Sequence, residues 1–117
     1  LLPRIRRIAD THGLRLANFF HAGDGNLHPN LLFDRRDADQ VRSVEKAGEE
    51  IMRLCVEAGG TITGEHGVGS DKVRHMPLLF GSGELALMGA LHDALDPTGT
   101  ANPGKLLPEA PDGEAAG

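Results

Sequence analysis

The sequence predicts an α+β domain with a small antiparallel sheet packed by helices. Three observations carry that prediction. Apolar residues recur at helical spacing in three separated segments. Two short alternating runs lie back to back across a glycine-rich turn, as in a hairpin. The resulting order is helix, strand, strand, helix, a short β-prone piece and helix, which suits an α+β layout.

Each element has its own warrant. Pro3 to His12 spaces Ile5, Ile8 and Ala9 along one helical face with Arg4, Arg6 and Arg7 outward, and Gly13 stops it. Leu14 to Phe20 then alternates. Leu14, Leu16, Asn18 and Phe20 share one face, and Arg15, Ala17 and Phe19 take the other. His21 to Asn26 has the composition of a turn, and Leu27 to Phe33 is the second strand. Pro29 has no N–H for a ladder, so this strand is expected at an edge or with a bulge. Asp37 and Gln40 have capping-box spacing ahead of a helix whose face runs Val41, Val44, Gly48, Ile51, Met52, Cys55 and Ala58, ended by Gly59 and Gly60. Thr61 to Thr63 is β-prone, and Glu84 to Leu95 is a third helix broken by Asp96-Pro97. The Pro-, Gly- and acid-rich segment 108–117 is expected to be a disordered tail behind a domain spanning 1–107.

Composition narrows the function classes. With 117 residues, 39% apolar and 25% charged, the chain is one ordinary domain at most and can build a core. No apolar run approaches the roughly 20 residues of a transmembrane helix, and no signal peptide is visible. A net charge of −5 argues against a phosphate-tracking surface, so nucleic acid is not an expected partner. The single cysteine, Cys55, excludes an internal disulfide and a Cys-rich zinc site, and it suits a reducing cytoplasm. The first residue is Leu1, the apolar pattern is already running there, and aromatic residues are only 3%. A core this poor in large rings leads to the expectation that a missing partner domain completes it.

The chemistry-bearing residues fall in two glycine-flanked clusters, His21-Ala-Gly-Asp-Gly-Asn-Leu-His28-Pro-Asn30 and Gly64-Glu65-His66-Gly67. A hairpin turn returns His28 toward His21, and His28 and Asn30 leave the same strand face. Two imidazoles and the Glu65 carboxylate make a three-ligand set with an open position, the pattern of a catalytic divalent site. Zinc suits this set, and manganese or iron also accepts it. His66 is then left beside the cation as an imidazole, the side chain most used for general base work. Asp24 is a further candidate ligand or an acceptor for an imidazole N–H, although Asp between glycines is first a turn former. The rival reading is a hairpin turn and a loop with incidental histidines. His12, His75 and His92 lie outside both clusters and read as surface or packing residues.

Two nucleotide-like patterns fail on context. Gly81-Ser-Gly83-Glu-Leu-Ala86 precedes a helix but lacks a following strand with an acidic end, and Ser82 as a helix cap accounts for it. Gly59 to Gly64 has P-loop glycine spacing, but Glu65 stands where the phosphate-binding lysine belongs.

The motifs His21 to Pro29, Thr63-Gly-Glu-His-Gly-Val-Gly69 and Asp96-Pro-Thr-Gly-Thr-Ala-Asn-Pro-Gly-Lys105 resemble, in the same order, the C-terminal region of FAD-linked oxidases. The similar members are the glycolate oxidase flavin subunit, D-lactate dehydrogenase and D-2-hydroxyglutarate dehydrogenase. The resemblance runs from Leu1 to about 108. It implies the end of a ferredoxin-like cap domain, with an N-terminal FAD-binding domain as the missing partner and room for other oxidase subunits. It further implies His21, His28 and Glu65 as metal ligands, His66 as the proton acceptor, Asn30 as a substrate contact and Asn102 near the flavin. Thr100-Ala101 departs from the family's usual apolar pair there. The implied reaction oxidises a small D-2-hydroxy acid with hydride passing to FAD, and the chain alone is expected to be inactive. A non-redox metal-binding module and a metal-dependent hydrolase are the alternatives.

Overall fold

A computed structural model describes residues 1–21 and 23–109, with the side chains of Phe19 and Phe20 left aside. The predicted tail lies outside the described residues beyond Glu109. The chain divides into two compact units, Leu1–Gly64 and a second beginning at Glu65. The arrangement is α+β, as predicted, with helices α1 (Leu2–Thr11), α2 (Ala38–Glu57), α3 (Met76–Leu79) and α4 (Ser82–Leu95) and strands β1 (Arg15–His21) and β2 (Asn26–Leu32).

In the first unit, α1 and α2 end in the same way. The Gly13 N–H reaches the Asp10 carbonyl and the Leu14 N–H reaches that of Ala9; Gly59 and Gly60 do likewise to Val56 and Cys55. Both are Schellman closures, with Gly13 at φ +67 and Gly59 at φ +83, where a side chain would be strained. The first closure turns the chain directly into β1. At the other end of α2, Asp37 accepts from the Asp39 and Gln40 N–H groups. The Gln40 side chain donates to Asp37 and accepts from the Asp34 N–H, so the expected box is widened by one turn of chain. Arg36 clasps the Asp34 carboxylate and holds it below the usual carboxylate range.

β1 and β2 pair antiparallel without a break in register, from Arg15 opposite Leu32 to His21 opposite Asn26. In a two-stranded sheet both strands are edges, so Pro29 sits mid-strand opposite Asn18 without a bulge. Paired residues share a face, so Leu16, Leu27 and Leu31 lie together. They pack with Ile5, Ile8, Ile51 and Leu54 of α1 and α2, and Ala9, Leu14 and Ala47 continue the core. One side of the hairpin is thereby committed to the core, and the other carries Ala17, His21, Asn26, His28 and Asn30.

Two expectations are corrected. Thr61–Thr63 forms a bend rather than a strand; three residues between glycines are too few to pair, and the apolar signal came from Ile62, buried as a single anchor. Ser82 is the first residue of α4 and not its cap. The cap is Gly81, whose N–H donates to the Glu84 carboxylate at 2.7 Å. The second unit also contains a short 3-10 turn, Val73–His75, running into α3, which the sequence reading left unassigned. Among the described residues of this unit Val68, His75 and Met76 are buried, and the Leu106 N–H closes back onto the Gly69 carbonyl.

Candidate functional site

The open face of the hairpin carries Ala17, His21, Asn26, His28 and Asn30, because Phe19 pairs with His28, Ala17 with Asn30 and His21 with Asn26. His21 and His28 are diagonal neighbours on that face. Their ring centroids are 5.7 Å apart with planes at 80°, an edge-on approach, and a nitrogen of one ring lies within 4.8 Å of a nitrogen of the other. His21 is exposed and His28 half-buried. Asn30 is exposed, with its amide 3.5 Å from the His28 carbonyl. Asp24 helps form the turn through its backbone, its N–H donating to the His21 carbonyl at 3.1 Å, which is the turn-former role.

Gly64 closes the first unit at this same face. A Cβ on Gly64 would come within 2.9 Å of the Asn26 Cγ and 3.0 Å of its Nδ2, with Oδ1 nearer still. Only a glycine lets the chain pass this close to β2. The next peptide carries the backbone about 3.8 Å onward to Glu65. Glu65 and His66 are both exposed, with the His66 Nε2 3.4 Å from a Glu65 carboxylate oxygen. In the sequence Asn26 ends the predicted turn, and Gly64 is the glycine that opens the Glu65–His66 cluster. Their only signal was membership of the two motifs, since close packing between distant residues leaves no local pattern.

Asn102 lies in the second unit, in the loop after α4, at φ 46. Asp96 organises that loop by accepting from the Ala101 N–H at 2.9 Å and from the Thr100 N–H and hydroxyl. Those bonds, the Ala101 N–H first, lower its pKa below the ordinary 3.8. The three other histidines behave as surface or packing residues. His12 pairs with Glu50 at 2.9 Å, joining α1 to α2; His75 is buried; His92 faces Asp93 and Asp96. Burial pushes the Cys55 thiol up, which fits a core position rather than a nucleophile. Among the described residues, no helix is long and apolar enough to cross a membrane.

The family described as FAD linked oxidases, C-terminal domain, matches residues 1–106. The glycolate oxidase subunit GlcD of Escherichia coli strain K12 is 45% identical over 108 residues, covering 92% of this chain and 22% of that protein. GlcD of Bacillus subtilis is 42% identical over 107 residues, covering 92% and 23%. The mitochondrial D-lactate dehydrogenase [cytochrome] of Arabidopsis thaliana is 35% identical over 108 residues, covering 92% and 19%. The chain thus spans about a fifth of the length of these relatives.

Proposed function

Because the chain belongs to the C-terminal domain family of FAD-linked oxidases, we propose that it is the C-terminal part of an FAD-dependent oxidoreductase. Its substrate is a D-2-hydroxy acid of the glycolate or D-lactate type, and its product the 2-oxo acid. Residues 1–107 act as the cap region, and an FAD-binding domain elsewhere in the longer protein is their partner. His21, His28 and Glu65 together take a divalent cation, zinc first, with manganese or iron accepting the same set. The observation that carries this reading is the edge-on His21–His28 pair on the side of the hairpin turned away from its leucine core. The donor set fits. Two neutral imidazoles and a carboxylate leave a net charge of +1 on a bound divalent ion, with room for an anionic ligand.

A cation held there supplies charge that lowers the pKa of a neighbouring hydroxyl, and the flavin supplies the two-electron sink. The chain's own residues do the rest. His66, whose Nε2 lies 3.4 Å from a Glu65 carboxylate oxygen, accepts the hydroxyl proton. Asn30 would offer an amide to the substrate, and Asn102 would help hold the flavin. The two electrons leave the substrate's C2 with its hydrogen, so the proton taken by His66 balances the oxidation.

Metal analysis of the purified chain tests the ligand set. Wild type is expected to carry about one equivalent of divalent metal, and His28→Ala and Glu65→Ala almost none. Equal metal content in wild type and Glu65→Ala removes Glu65 from the set.

A further inference from the structure

The Asn26–Gly64 contact does more than fill space. Asn26 is fixed in the β ladder opposite His21, two residues from His28. Its Cγ, not merely its terminal amide, stands 2.9 Å from where a Gly64 Cβ would be. Turning the amide about χ2 would not clear that clash. Relief needs a χ1 change at Asn26 or a displacement of the chain at Gly64. The carboxamide and the bare Cα therefore meet as a stop, and the chain leaves that stop for Glu65 by one rigid peptide.

We infer that Asn26 is a positioning residue whose carboxamide, bearing on the Cα of Gly64, fixes where the backbone delivers Glu65 relative to the hairpin. This rests on the reading of Glu65 as a cation ligand, and it adds a residue that holds no cation itself. An alanine at 64 would push the Glu65 backbone outward while leaving all three ligands in the sequence. Deleting the Asn26 carboxamide would make room for that alanine. The two positions are thus coupled, and the second substitution should repair the first.

The test uses the full chain in four forms: wild type, Asn26→Ala, Gly64→Ala and the double variant. Two readouts are taken, Co(II) affinity from the visible absorption of the bound ion and the Glu65 backbone amide resonance without metal. Gly64→Ala is expected to weaken Co(II) about 10- to 100-fold and to shift the Glu65 resonance. The double variant is expected to recover most of both, with thermal melts confirming that each variant folds. Should Gly64→Ala not fold, Asn26→Ala alone decides: weaker Co(II) binding with a shifted Glu65 resonance sustains the inference, and wild-type values of both overturn it. Wild-type affinity in Gly64→Ala, or a double variant no better than Gly64→Ala, overturns the inference. If wild type takes up no Co(II), the ligand reading fails by itself. The metal-free resonance then decides the inference: repair of the Glu65 shift sustains it, and no repair ends it.

Discussion

His66 and Glu65 are adjacent, exposed and in contact, yet the proposed function gives them different tasks, which single substitutions would separate. Removing a ligand removes the cation. Removing a base leaves the cation and costs rate, typically ~10²- to 10⁴-fold. In the flavin-containing full-length protein, His66→Ala should keep its metal content and lose turnover on that scale. Near-normal turnover with metal retained would mean that another group takes the proton. Asp96 makes a prediction of a different kind. Its carboxyl is lowered on folding, chiefly by the Ala101 N–H, so its contribution to stability is whole above 3.8 and fades as pH falls through the lower folded value. Thermal melts of wild type and Asp96→Asn should therefore differ at neutral pH and converge toward about pH 2. A gap that persists in acid would assign the effect to shape rather than charge.

At the level of elements, the hairpin and its two helices follow from short-range chemistry, and so do their faults. Gly59→Ala forces a side chain into the left-handed region at the end of α2 and should cost about 1–2 kcal/mol in urea unfolding. Asp37→Ala at the other end loses the two N-cap bonds and should cost about 1 kcal/mol. A loss below measurement error at Gly59 would mean that the Schellman closure is not holding the helix end. These ends were legible in the sequence because Gly, Asp and Gln act within four residues. The hairpin was legible to within a residue at each strand, because alternation of Leu16 against Ala17 and of Leu27 against His28 reads directly as two faces. The bend at Ile62 was misread as a strand because a buried β-branched residue looks alike in either setting. The 3-10 turn and α3 were missed because Met76-Pro77-Leu78-Leu79 is too short to show a period. The His21–His28 approach was readable from turn length. The seating of Gly64 on Asn26 was not, since it joins residues 38 positions apart through a contact that only coordinates display.

For the molecule taken whole, the division of labour is set by how little of its relatives the chain spans. It covers 22% of the Escherichia coli glycolate oxidase subunit, and both motifs to which the proposal assigns the cation lie in this chain. Cation binding should therefore be a property of the chain by itself, while flavin binding and turnover should require the longer protein. Exposure in α4 bears on the same point. Leu87, Leu91 and Leu95 recur every fourth residue along one stripe and are 63%, 56% and 86% exposed. Leucines left in water contribute almost nothing to the stability of the chain that bears them, unlike Ile51, whose truncation to alanine should cost about 2–5 kcal/mol. Leu91→Lys should shift the unfolding free energy of the chain by no more than about 0.5 kcal/mol and leave Co(II) uptake unchanged. The chain should meanwhile show no flavin absorbance after purification and make no 2-oxo acid from glycolate or D-lactate. Turnover by the chain alone would place the redox centre within these 117 residues and overturn the division. A large destabilisation by Leu91→Lys would instead show that the α4 stripe is already covered in solution, against another copy of the chain.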